Sequence, residues 1–268
     1  MSRPSLFLLN ATLGLVSHSV LAASLPDTGQ DTCYNDTVAD AASASSSSSI
    51  DKDTGTHPRQ DCRYGRDPAA NAGLLTKIGG GAKGFDYSKI ANNGTNLGAA
   101  PAAVLGNNPG DWACTLDNIT GLTWEIKTAG TPAAELRSMN SGYTWYNSNP
   151  ATNGGNAGTA GGGVCQTAGT CDTEKFVAAV NAAALCGYTD WRLPSKRELE
   201  TLVYAGTFNP AIDTTYFPNT ALSEFWSATS VVSNPAFAWS LDSAVGMDIN
   251  TDGKALAQAV RVVRGASF

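Results

Sequence analysis

Two histidines, six cysteines, a few closely spaced carboxylates and a set of basic residues define the chemistry open to this 268-residue chain. His18 lies in an N-terminal segment expected to be removed, and His57 lies in a Ser-rich stretch. No Ser/His or Cys/His nucleophile and no histidine-rich zinc site can then be assembled in the main domain. Glu198 and Glu200 share a predicted helix but stand two residues apart and face different ways, so they make a poor acid/base pair. Asp248, Asn250, Asp252 and Gly253 match the first half of an EF-hand loop. The twelfth position, which needs a bidentate Glu, is Ala259, and no flanking helices are predicted. A plain β-turn explains the same residues. The expected cofactor is therefore none, with calcium at Asp248, Asn250 and Asp252 as the open alternative. Basic residues cluster at Arg192, Lys196, Arg197, Lys254 and Arg261, interleaved with Asp190, Glu198, Glu200 and Asp252. These five are the candidate ligand-binding residues, and a salt-bridged surface is the competing reading. Arg261 and Arg264, three positions apart, would point to opposite faces of one strand, with at least one of them expected to be buried against a carboxylate.

Cysteine usage sets the compartment. An even count in an exported chain reads as three disulfides, although six cysteines allow 15 connectivities. Cys33 with Cys62 and Cys165 with Cys171 are expected from local proximity and loop composition. Cys114 with Cys186 would staple the start of the main domain to the end of its first helix. With all six paired, no thiolate is left as nucleophile or metal ligand. The N-terminus, with Arg3, an apolar run from Leu6 to Ala22 and small residues at the end, reads as a signal peptide over residues 1–22, cleaved after Ala22 or Ala23. The run is short and polar at its end for a membrane span, and no later segment is long and apolar enough for one. The expected location is exported: periplasmic, outer-surface or extracellular. A net charge of −6, with only 15 % charged residues, leaves no excess of cations for a nucleic-acid or anionic-membrane partner.

The elements that must position these residues are short. Gly 28 and abundant Ser, Thr and Asn predict a loop-rich α+β fold. Residues 23–110 read as a loop-rich N-terminal extension with an Ala/Ser-rich linker at 41–49 and turn signals at Gly79-Gly80-Gly81 and Asn92-Asn93-Gly94. From Asp111 the pattern sharpens, and residues 111–266 form the main domain. Leu122, Trp124 and Ile126 alternate with polar residues, which predicts a strand. Tyr143 to Tyr146 is a second aromatic β segment, followed by a long Gly- and Asn-rich loop from Asn147 to Thr170. Asp172 or Thr173 caps a helix running through Cys186, with Gly187 as the C′ glycine. Pro194 holds the next residues extended, and Ser195 with Glu198 makes a capping box for a second helix burying Leu199, Leu202 and Val203. Trp191, at the joint, is expected to anchor the core. Four strands follow, at 224–229, 236–241, 246–249 and 257–264, with Asn250 to Gly253 as a hairpin turn. Two helices packed on one meandering antiparallel sheet is the economical architecture.

Four motifs in order identify a relative: Gly121-Leu-Thr-Trp-Glu-Ile-Lys127, Cys186-Gly-Tyr-Thr-Asp-Trp-Arg-Leu-Pro-Ser-Lys-Arg-Glu-Leu199, Phe225-Trp-Ser-Ala228 and Val260-Arg-Val-Val-Arg-Gly265. With these the chain resembles the Lcl C-terminal domain family, named for the C-terminal domain of the Legionella collagen-like adhesin. The resemblance implies a C-type-lectin-like fold, export to the bacterial surface, and recognition or adhesion through an extracellular glycan or protein, the best-known member binding sulfated glycosaminoglycans. This chain has no collagen-like repeat, and it lacks the Glu-Pro-Asn, Gln-Pro-Asp and Trp-Asn-Asp triplets of calcium-dependent sugar-binding lectins of that fold. The competing readings are an envelope-assembly component that binds a protein, and an enzyme. The enzyme would be an oxidoreductase like the formylglycine-generating enzymes, which use a reactive cysteine pair, or a carboxylate-dependent hydrolase.

Overall fold

The computed structural model describes residues 28–30, 33–34, 39–40, 65–249 and 252–267. The signal segment, the Ser-rich run and the Cys33–Cys62 pairing lie outside the described residues. The fold is a mixture of antiparallel sheets with few, short helices. Strands β1 (Cys33–Tyr34) and β2 (Ala39–Asp40) pair with each other, and α1 (Arg66–Asn71) follows. The main sheet has five strands: β3 (Tyr87–Ala91), β4 (Asn96–Gly98), β5 (Trp112–Asp117), β6 (Thr123–Glu125) and β12 (Val263–Arg264). Their spatial order is β12-β6-β5-β3-β4, and every pairing is antiparallel.

The stretch read as an extension thus supplies two strands, β3 and β4, to the main sheet. All five side chains of β3 are buried, so its sequence, Tyr-Ser-Lys-Ile-Ala, shows no alternation to read. Lys89 is tolerated there because its Nζ donates to the Ala100 carbonyl at 3.1 Å and sits 4.2 Å from the Trp112 ring centre. The glycine run at 79–81 is not a free turn. Gly80 exchanges two backbone hydrogen bonds with Tyr87, and a Cβ at Gly79 would lie 2.0 Å from the Tyr87 carbonyl oxygen.

The two-helix joint forms as expected, with one shift. Helix α2 (Thr173–Ala182) starts at Asp172, whose Oδ1 accepts from the Lys175 amide at 2.8 Å, and it buries Phe176 and Val180. It stops at Ala182 rather than Cys186. Ala184 and Cys186 take positive φ, a 3-10 turn spans Leu185–Gly187, and Gly187 itself has φ 77°. Cys186 is bonded to Cys114 on β5, which draws the chain off the helical path. Trp191 is buried at 2 % exposure; its Nε1 donates to the Leu185 carbonyl, and its amide donates to Asn181 Oδ1. The capping box is complete: Ser195 Oγ accepts from the Glu198 amide, and Glu198 Oε2 accepts from the Ser195 amide. The helix it starts, α3 (Lys196–Glu200), is a single turn, so Leu202 is buried beyond its end. Ser195→Ala is expected to lower unfolding stability by about 1 kcal/mol; a urea midpoint equal to wild type would show that the cap contributes nothing.

Instead of one meander, the C-terminal third is divided among three sheets. Strands β8 (Glu224–Ser230), β9 (Ala238–Asp242) and β10 (Met247–Ile249) form one antiparallel sheet in the order β10-β9-β8. The expected strand 257–264 is two pieces. Strand β11 (Ala257–Gln258) pairs with β7 (Tyr143–Thr144), and β12 pairs with β6. Between them Ala259 to Val263 are all buried, so the segment crosses the interior from one sheet to another.

A charged cluster lies in that interior. Glu125, on β6, is fully buried and pairs with buried Lys127 at 2.8 Å. Its other oxygen accepts from the Val262 amide at 3.2 Å. Arg261, 2 % exposed, donates to the Glu125 main-chain carbonyl at 2.9 Å and to Thr220 Oγ1 at 3.0 Å. Buried Arg137 donates to the carbonyls of Ala113, Ile126 and Gly106. Desolvation pushes the Lys127 ammonium below its usual pKa, with Glu125 opposing it, and pushes Arg261 down to about 10.

Candidate functional site

A cleft of about 370 Å³ opens where β7, α2, the joint and β8 meet. Its floor is set by the two residues that follow β7. Trp145 is buried, with its Nε1 donating to the Ser227 carbonyl at 2.9 Å. Tyr146, next along, is half-buried and is fixed to α2 by two bonds: its amide donates to Thr173 Oγ1 at 2.9 Å, and that hydroxyl donates to the Tyr146 carbonyl at 2.8 Å. Val177 on α2, Leu193 at the joint and Ala228 on β8 complete an aliphatic lining.

The rim is polar and mostly uncharged. Asn147 and Thr152 come from the long loop, and Asn147 Nδ2 donates to Thr152 Oγ1 at 3.0 Å. Glu174 is exposed on the first turn of α2, where its Oε2 accepts from the Ser148 amide at 2.7 Å. The loop is tied down along its length. Asp172 Oδ2 accepts from the Gly161 amide, and Cys165 is bonded to Cys171. At its base, the Asn147 amide donates to the Ala157 carbonyl, and the Thr159 amide donates to the Trp145 carbonyl. Gly158, at φ 82°, lets the loop pass so close to β7 that a Cβ would lie 2.1 Å from the Trp145 carbonyl oxygen.

Of the five basic residues expected to contact a ligand, one lines the cleft. Arg192 borders it with a side chain about one third exposed, but its guanidinium is bidentate on Glu198, at 2.6 and 2.7 Å. Lys196 pairs with Glu200 at 3.3 Å and lies 4.3 Å from the Trp239 ring centre. Arg197 is exposed on α3. The other two require a correction. Lys254 and Arg261 are each 2 % exposed, so neither can meet an external ligand. Arg261 belongs to the Glu125 cluster. Lys254 Nζ donates to the carbonyls of Asn153 and Asn156 and to Ser230 Oγ, behind the loop. Of the terminal arginines, Arg264 is outside, paired with Asp190 at 2.8 Å, while Arg261 lies before β12 and is buried on a main-chain carbonyl and a hydroxyl rather than on the expected carboxylate.

For the calcium alternative, Asn250 and the side chain of Asp248 lie outside the described residues. Asp252 is buried, and its Oδ2 accepts from Ser240 Oγ at 2.7 Å. Sequence reasoning found the long loop that borders the cleft but passed over Glu174, Val177, Leu193 and Ala228. The signal for Glu174 was its place on the first helical turn, directly after the loop it meets.

A family model described as the Lcl C-terminal domain matches residues 113–264, more than half of the chain. No curated protein matches the chain, and neither does any solved structure.

Proposed function

The chain belongs to the Lcl C-terminal domain family, and from that membership we propose an exported, non-catalytic recognition module of C-type-lectin-like fold, seating an extracellular glycan in the Tyr146–Arg192 cleft. The family and the two disulfides Cys114–Cys186 and Cys165–Cys171 support the exported, surface-adhesion part of this reading. The cleft carries the ligand class. It combines a half-buried aromatic ring and aliphatic floor with amide and hydroxyl groups at the rim, the pairing of apolar body and directional polar groups that small-ligand sites use. Its charge favours a neutral sugar over a polyanion. The one guanidinium at the rim is neutralised by Glu198, and Glu174 adds negative charge beside it.

The test is a glycan array probed with the purified chain at low and high salt. Binding to uncharged glycans that persists at high salt is expected, because neutral contacts are not screened. Binding confined to sulfated glycans and lost steeply with salt would refute the neutral-sugar reading, and a blank array would point to a protein partner instead. Tyr146→Ala should weaken Kd about five- to thirty-fold, equivalent to about 1–2 kcal/mol of ring contact. An unchanged Kd by calorimetry would move the ligand off this cleft.

A further inference from the structure

We propose that Lys254 is a positioning residue for the recognition loop: its ammonium, held by two loop carbonyls, one hydroxyl and an aromatic face, fixes the lip of the cleft from inside. The carbonyl oxygens of Asn153 and Asn156 converge on Nζ at 2.9 and 2.7 Å, and Ser230 Oγ on β8 lies at 2.9 Å. Two convergent carbonyl dipoles repel each other unless a donor or cation stands between them, and a lysine ammonium offers three donors, matching these three acceptors. The Trp145 ring centre lies 3.7 Å from Nζ, so the floor of the cleft also faces the cation.

Loop and floor are thereby joined through one atom. The Lys254 backbone grips the same floor residue, its carbonyl accepting from the Trp145 amide at 3.0 Å. Asn153 is buried, its Nδ2 donates to the Asn147 carbonyl, and Ser230 Oγ also donates to the Asn153 carbonyl. The hold on residue 153 thus passes to the rim residues Asn147 and Thr152. Burial lowers the Lys254 pKa to about 8, and no charged neighbour among the described residues shifts it. The cation remains the major form at pH 7. A side chain needed only for its hydrocarbon volume would not require three acceptors at its tip.

Hydrogen exchange read by mass spectrometry tests this without any ligand. In Lys254→Met, amides of residues 149–158 should exchange at least ten-fold faster than in wild type, while those of β5 and α2 keep their rates. In Lys254→Ala, added ethylammonium should restore loop protection, and tetramethylammonium, which has no N–H, should not. Wild-type loop protection in Lys254→Met, or equal rescue by both amines, would overturn the proposal. Should the variants fail to fold, NMR of the 15N-labelled wild type decides it: a slowly exchanging Lys254 ammonium signal is expected, and one exchanging as fast as surface lysines would sink it. The effect on glycan binding rests on the cleft reading. A Lys254→Met protein with a deprotected loop and wild-type glycan affinity would count against the cleft while leaving the lysine's role in place.

Discussion

Glu125→Ala is expected to lower the stability of the domain by roughly 3–5 kcal/mol, a large share of the about 5–15 kcal/mol typical of a folded domain. The reason is what stays behind. Lys127 is 3 % exposed at its side chain and has the Glu125 carboxylate at 2.8 Å. Arg261 and Arg137 are buried nearby and are satisfied by carbonyl and hydroxyl groups rather than by a second acid. One carboxylate thus sits among three buried cations, and its removal leaves the Lys127 ammonium without an anion in a medium where isolated charge is costly. Glu125→Gln should fall between Glu125→Ala and the wild type, since the amide still offers an oxygen to the Val262 amide and to Lys127. Glu200→Ala is the contrasting case, its partner Lys196 being on the surface and four residues away, and should change stability by less than about 1 kcal/mol. Guanidinium melts of the three variants check this. A Glu125→Ala loss no larger than that of Glu200→Ala would mean that the buried cluster is solvated or neutral.

The second large effect is expected from the long-range disulfide. Removing Cys114–Cys186, as the double alanine variant, should cost about 4 kcal/mol, because the bond closes a sequence separation of 72 residues. Removing Cys165–Cys171, with a separation of 6, should cost only about 2 kcal/mol by the same chain-entropy relation. The first bond also fixes Cys186 at positive φ, where an alanine gains nothing from that geometry. Thermal unfolding of both variants gives the comparison. Equal losses, or a larger loss from the short loop, would show that strain or residual denatured structure outweighs loop closure.

How much of this was legible beforehand depended on whether the cause was local. The capping box at Ser195 and Glu198, the Trp191 anchor, the strand at Trp124 and the start of α2 follow from neighbouring residues, and each appears in the structure. The two described disulfides were also readable, one from proximity and one from its place at domain landmarks. The misreadings share a different cause. Lys254 and Arg261 were read as candidate ligand contacts, yet each is buried because distant carbonyls and rings receive its cation. Nothing near Lys254 announces Asn153 and Asn156, about a hundred residues away. The same blindness hid β3, whose lysine broke the apolar pattern, and divided what read as one terminal strand. Its alternating valines were satisfied by core on both sides, so no register with a single partner was encoded. Of the cleft, the loop was legible and the opposing helix and joint residues were not, because their convergence is tertiary.

The interior crossing at Ala259 to Val263 also governs how the domain reaches its native state. Arg261 and Val262 meet Glu125 across sequence separations of 136 and 137 residues, so the central acid finds these partners only when the final stretch of the fold arrives. Contacts of such span give a high contact order, and loop-closure entropy must be met before they return any energy. The sheet edge at β6 is therefore expected to stay open until β12 docks. The interval before the docking of β12 is then the period when the chain is most exposed to proteolysis and edge-to-edge association.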